Sequence, residues 1–160
     1  ELSTFSSVGI HVVKASRPGD TLSVWGWMPG YYVETGLAPA TRDAITQFMI
    51  STGPYQDYYR ERYLKDLEKS KPAIFIDAIA DGAFVWNWTR ADNKHESFPK
   101  LAQHVANNYS LWLTIHLLPE PPVQVNGLTS HLKQRHPVRV YLLKQRMLEL
   151  HLTPTVFFAP

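Results

Sequence analysis

At 160 residues, 44% of them hydrophobic, the chain has the size and apolar content of one folded domain that needs no covalent staples, and its aromatic content places its twelve prolines in rigid loops rather than in a disordered tail. The absence of cysteine excludes a disulfide framework, a thiol nucleophile and a thiolate metal site. A formal net charge of +2 conceals an asymmetry, because residues 1–120 hold 11 Lys/Arg against 13 Asp/Glu whereas residues 121–160 hold 5 against Glu149 alone; the weak overall balance does not point to nucleic acid.

Phe5, Val8, Val12 and Ala15 recur at helical spacing after a Ser-Thr start that can cap the first turn, so residues 3–15 read as a helix. Pro18-Gly19-Asp20 forces a turn. Leu22 to Trp27 then reads as a short buried strand, followed by a Gly- and Pro-punctuated loop. Thr41 can cap a short helix carrying Ile45, Phe48 and Met49. Pro54 stands where a first-turn proline belongs in a second helix, whose Tyr55, Tyr59, Tyr63 and Leu67 repeat every four residues as a core stripe, with Lys69 and Lys71 at the negative end before Pro72 stops it. Ala73 to Ile79 is apolar on both alternating faces except at Asp77, the pattern of a strand covered on each side. Residues 82–93 read as an apolar loop carrying Phe84, Trp86 and Trp88. Pro99 opens a helix with Leu101, Val105 and Tyr109 in register, and Leu111 to Leu117 supplies another strand. Beyond Pro119-Glu120-Pro121-Pro122, Asn126-Gly127 fits a hairpin turn, and Val138 to Leu142 alternates like a strand at the sheet edge.

Helices alternating with buried strands predict an α/β fold: a small Rossmann-like three-layer sandwich with a mainly parallel sheet and a decorated C-terminal edge. The expectation is a single domain over 1–160, with its core in 3–117 and an edge extension in 118–160.

Ligands in such sheets sit beyond the carboxyl ends of the strands. Two aromatic segments leave there: Trp25-Gly26-Trp27-Met28-Pro29-Gly30-Tyr31-Tyr32, and the stretch through Asp77 and Asp81. One reading is an aromatic-walled cleft in which Trp27, Tyr31 and Tyr32 meet a sugar or acyl group while Arg42, Asp77 or Asp81 fixes a polar end. The other is that Trp25 and Trp27 fill the gap under a covering helix, with Gly26 allowing close approach. His95-Glu96 and His104 do not match the zinc-protease spacing, so no metal is expected, and His95-Glu96 reads as a cap or orienting element for the helix at Pro99. Glycine-rich phosphate loops and a nucleophile elbow are missing from the sequence, which leaves no motif for a nucleotide or other cofactor.

The order of the segments Val24 to Asp43 (VWGWMPGYYVETGLAPATRD), Ile74 to Phe84 (IFIDAIADGAF) and His95 to Val105 (HESFPKLAQHV) resembles the soluble C-terminal region of bacterial multi-pass membrane proteins related to the dolichyl-phosphate-mannose, or GT-C, type of glycosyltransferase. The similarity spans about residues 8–117. It implies a membrane-embedded part that takes sugar from a polyprenyl phosphate, and a location for this region beside the bilayer on the extracytoplasmic (periplasmic) side. The catalytic carboxylates of that family lie in an early loop outside this chain, so no catalytic residue carries over. Trp25, Trp27, Tyr31, Tyr32, Thr41, Arg42, Asp77, His95 and Glu96 are motif positions without an assigned role.

A start at Glu1-Leu2-Ser3 and the lack of an apolar run of roughly 18 residues fit a segment excised from such a protein. The expected partners are its own transmembrane portion, a glycan or polyprenyl-phosphate sugar, and anionic lipid headgroups facing Lys133, Arg135, Arg139, Lys144 and Arg146 with His131 and His136. Three functions follow: a non-catalytic domain that helps position glycan, a structural or protein-interaction module, and a free-standing hydrolase-like enzyme pairing Asp77 with His95.

Overall fold

The computed structural model describes residues 6–79, 93–117 and 137–159, with the backbone of two short strands between the last two segments. Helix α1, Ser7–Ala15, is capped by Ser6, whose hydroxyl accepts the Gly9 N–H at 3.0 Å while Glu34 accepts both the Ser6 N–H and its hydroxyl; Ser3, Thr4 and Phe5 lie outside the described residues. Gly19, with φ 87°, completes the expected turn into strand β1, Thr21–Trp25.

The Gly- and Pro-punctuated loop expected next contains a helix, α2, Gly30–Thr35, closed by Gly36 in the left-handed region. Strand β2, Ala38–Pro39, is two residues long. Helix α3 runs over Gln47–Ile50, with Thr46 rather than Thr41 at its start; Thr41 is buried and its hydroxyl donates to the Asp43 carbonyl. Helix α4, Gln56–Ser70, begins two residues past Pro54 and ends at Lys71, whose φ of 47° closes the last turn. Its buried residues are Tyr63, Leu64 and Leu67, so the tyrosine stripe dives into the core only in its C-terminal half.

Strand β3, Ile74–Asp77, is buried at every position. A single 3-10 turn, His95–Ser97, leads into α5, Pro99–Asn108, with Pro99 in the first turn as expected. Strand β4, Tyr109–Leu117, takes over Tyr109 from the predicted helix; the side chain stays in the same core and its hydroxyl donates to the Pro72 carbonyl at 2.9 Å. Strands β5, Gln124–Val125, and β6, Leu128–Thr129, form a separate antiparallel pair; Asn126-Gly127 between them lies outside the described residues, as do Phe84, Asp81, Trp86 and Trp88. Strand β7, Val138–Leu143, helix α6, Lys144–Glu149, and strand β8, Thr155–Ala159, complete the chain.

The fold is α/β, built on a six-stranded mixed sheet of order β2-β1-β3-β7-β4-β8. Five strands share one direction and β7 opposes both its neighbours. The decorated edge expected from the C-terminal residues is therefore only half right. β8 does lie at the edge, but β7 lies between β3 and β4, because an apolar strand buried on both faces gains most where it has two partners. Along β3, Ile74 and Ile76 join a core cluster with α1, α2 and α6, and Phe75 joins one with α3, α4 and α5.

Gly26 holds the junction past β1. Its φ is 130°, and a Cβ there would stand 3.3 Å from the carbonyl carbon and oxygen of Ala78. Gly26→Ala is expected to cost roughly 1–3 kcal/mol, read from urea unfolding, because the backbone conformation is strained for any L side chain and the opposing atoms are main chain.

Candidate functional site

After β1 the chain turns to α2 on one side of the sheet, and α5, the next described helix after β3, lies on the other. The carboxyl ends of β1 and β3 thus form a topological switch point, where an open α/β sheet places its ligands. Asp77 is the last residue of β3, and Trp25 its register partner on β1. Because β7 runs the opposite way, it begins at this edge, and its second residue, Arg139, is the register partner of Asp77 on the other side.

Asp77 is 1% exposed, yet fully hydrogen-bonded. Its Oδ1 accepts the Ile79 N–H at 3.1 Å. Its Oδ2 accepts the His95 N–H at 3.0 Å and an Arg139 guanidinium N–H at 2.7 Å, and lies 2.6 Å from His95 Nδ1. Arg139 also grips both oxygens of Glu96, the second at 2.8 Å. The His95 ring stands edge-on to Phe75 and Tyr141, at 5.5 and 5.4 Å between centroids.

The electrostatics follow this geometry. Burial alone would raise the Glu96 carboxyl, but the hydrogen bonds and charge of Arg139, with the His95 ring beside it, hold it down to about 2. Desolvation works against the Arg139 charge, and Glu96 and Asp77 more than offset it, so the guanidinium is held even more firmly cationic. Burial pushes the Tyr141 hydroxyl up to about 12.

A carboxylate can only accept, so the 2.6 Å contact assigns the Nδ1 proton to His95 and leaves Nε2 as the basic nitrogen. This is the relation by which an acid orients a histidine base. The groups Asp77, His95 and Glu96 also bring ligand atoms within 4.8 Å of one another. The guanidinium of Arg139 bonds the same carboxylates and supplies the positive charge that a metal ion would bring, so the arrangement fits an ion-pair network better than a cation site.

Of the sequence candidates, Asp77, His95 and Glu96 come together. Trp27 is at the surface, 37% exposed, just past Gly26. Tyr31 and Tyr32 do not line a cleft: both are buried, and the Tyr32 hydroxyl accepts the Val24 N–H at 3.1 Å, with burial pushing that hydroxyl up to about 12. Packing of α2 onto the sheet turns both rings inward. Arg42 is engaged by Asp66, at 2.9 and 2.8 Å through Nε and one terminal nitrogen. Asp81 lies outside the described residues.

Of the basic C-terminal residues, His131, Lys133, Arg135 and His136 lie outside the described residues, and by its place in the sequence Arg139 belongs with that group rather than with the site. Its one signal was a charge flanked by Val138 and Val140 in an alternating strand. Arg146 is likewise turned inward, onto both oxygens of Asp20 at 2.8 and 2.9 Å. Comparison with family models, with curated proteins and with solved structures finds no match for this chain.

Proposed function

We propose that this chain is a non-catalytic, Rossmann-like extracytoplasmic domain of a membrane glycosyltransferase-like protein, helping to position a glycan or lipid-linked sugar in cell-envelope glycosylation. The observation that carries the reading is that the charged motif residues are held in internal ion pairs: Asp77, His95 and Glu96 in one network with Arg139, and Arg42 with Asp66. Among the described residues, such pairing builds a rigid rim and holds the carboxylates and guanidinium of the motif in ion pairs rather than poised for bond-making. The test is to titrate the domain with soluble oligosaccharides and a short-chain polyprenyl phosphate while following Trp fluorescence and product release. Binding without turnover is expected. Silence toward every ligand removes the positioning role, and turnover removes the non-catalytic one.

A second reading is favoured by the 2.6 Å contact between Asp77 and His95: a hydrolase-like enzyme with His95 as base. It requires hydrolysis of a chromogenic ester or glycoside that His95→Gln abolishes while the domain stays folded. The absence of hydrolysis across such a panel would eliminate it.

A further inference from the structure

In the N-terminal half of the tyrosine stripe on α4, Tyr59 packs against the edge of the core while Tyr55 lies outside it. Tyr55, Tyr58, Tyr59 and Arg62 fall at the spacing of one helix face, and Tyr55 and Tyr58 are 69% and 60% exposed. From α3, Phe48, itself 54% exposed, stacks on Tyr59 with centroids 5.0 Å apart and planes at 23°. Tyr58 stands edge-on to Tyr59 at 5.4 Å. The Arg62 guanidinium lies 4.8 Å from the Tyr59 centroid and 5.6 Å from that of Tyr58, and is fixed by both oxygens of Asp43 at 2.6 and 2.8 Å.

Two facts place this patch on the same rim as Asp77. Helix α4 connects the parallel strands β2 and β3, so its first turns lie at the carboxyl edge of the sheet. The chain just before α3 is tied to that edge directly, the Gly26 N–H donating to the Thr46 hydroxyl at 2.7 Å. Arg60 of α4 then reaches the Phe98 ring at 5.3 Å, next to the His95 turn.

We infer that Phe48, Tyr55, Tyr58 and Tyr59, with the Arg62–Asp43 pair, form a binding platform for a neutral glycan. The chemistry matches on both counts: polarised C–H groups on a pyranose face meet the negative faces of the rings, and its hydroxyls meet a guanidinium and a carboxylate already held in place. Charge decides against a bilayer as occupant. Arg62 is neutralised by Asp43, Arg42 by Asp66 and Lys100 by Glu61, and Arg60 is turned onto the Met49 carbonyl and the Phe98 ring, whereas an anionic surface calls for unpaired cations that face it. The inference rests on the positioning role proposed above and gives it a location.

The test is an aromatic-region NMR titration of the chain with gluco-, manno- and N-acetylglucosamine trisaccharides, repeated on Phe48→Ala and Tyr58→Ala, two exposed positions where folding is checked by circular dichroism. Shifts at the Phe48, Tyr55, Tyr58 and Tyr59 rings are expected, with each variant binding about tenfold more weakly, the equivalent of about 1.4 kcal/mol. Trisaccharide binding that both variants retain overturns the platform and leaves the positioning role standing. Failure of every trisaccharide overturns the platform, and the polyprenyl phosphate titration then decides the role by itself. Binding to zwitterionic or anionic vesicles that the two variants lose would reassign the patch to the membrane surface.

Discussion

Replacing Arg139 with methionine will lower the unfolding free energy by about 3–5 kcal/mol, because it leaves a buried carboxylate without its counter-charge. Asp77 is 1% exposed, so solvent screens its charge little. Adding Asp77→Asn to that variant will recover part of the loss, since an amide keeps the acceptor for the Ile79 N–H without the unpaired charge. The acid limb of the stability curve will change as well. Glu96 is held from its ordinary 4.5 down to about 2 in the folded protein, so the stability it contributes is complete above the ordinary value and is lost as the pH falls toward 2. Without Arg139 that part of the acid dependence shrinks, leaving only what His95 and the backbone hydrogen bond supply. Asp20 and Asp66, held down by Arg146 and Arg42, titrate in wild type and variant alike and supply the common background. Urea midpoints measured from pH 2 to 6 on both proteins separate the two contributions; parallel curves would show that Arg139 does not hold the Glu96 charge.

The second large effect is expected at Trp25→Ala, with a loss of about 3–5 kcal/mol from the cavity left behind. Trp25 is fully buried against Tyr63, 5.6 Å away at an interplanar angle of 61°, and its indole N–H donates to the Asn93 carbonyl at 2.9 Å. The substitution therefore removes core volume and also unties the segment that carries His95. Trp27→Ala, two residues on at the surface, will cost much less, under about 1 kcal/mol. Equal losses at the two positions would mean that Trp27 is as much a core residue as Trp25.

This pair of tryptophans illustrates what could be read in advance. Local patterns gave α1, β1, β3 and the Pro99 helix, since a period of 3.6 or 2 and a proline at the first turn are properties of a few neighbouring residues. The alternation of Val138 to Leu142 likewise marked a strand, but which strands lie beside it is a long-range matter on which periodicity is silent. Tyr31 and Tyr32 were misplaced for a related reason: a six-residue helix ending at Gly36 carries too few residues to show its buried face. At the site, Asp77 stood out as the only polar residue in an apolar run, and a hydrolase-like pairing with His95 was conceivable from residue type alone. Arg139, which binds both Asp77 and Glu96, becomes visible only once β7 is known to run against β3.

The position of β7 bears on how the chain emerges during synthesis. The strand that joins β3 to β4 lies at residues 138–143, after both of them in the chain. Until it leaves the ribosome, β1–β3 and β4 are separate sheet fragments with open edges, and the carboxylate of Asp77 waits for the arginine that neutralises it. Folding must be nearly all-or-none and late, with a high share of distant contacts and a correspondingly slow rate. A fragment ending at residue 117, though it holds five of the six described α-helices and all five tryptophans, would keep those edges open and be prone to aggregate rather than fold as a core.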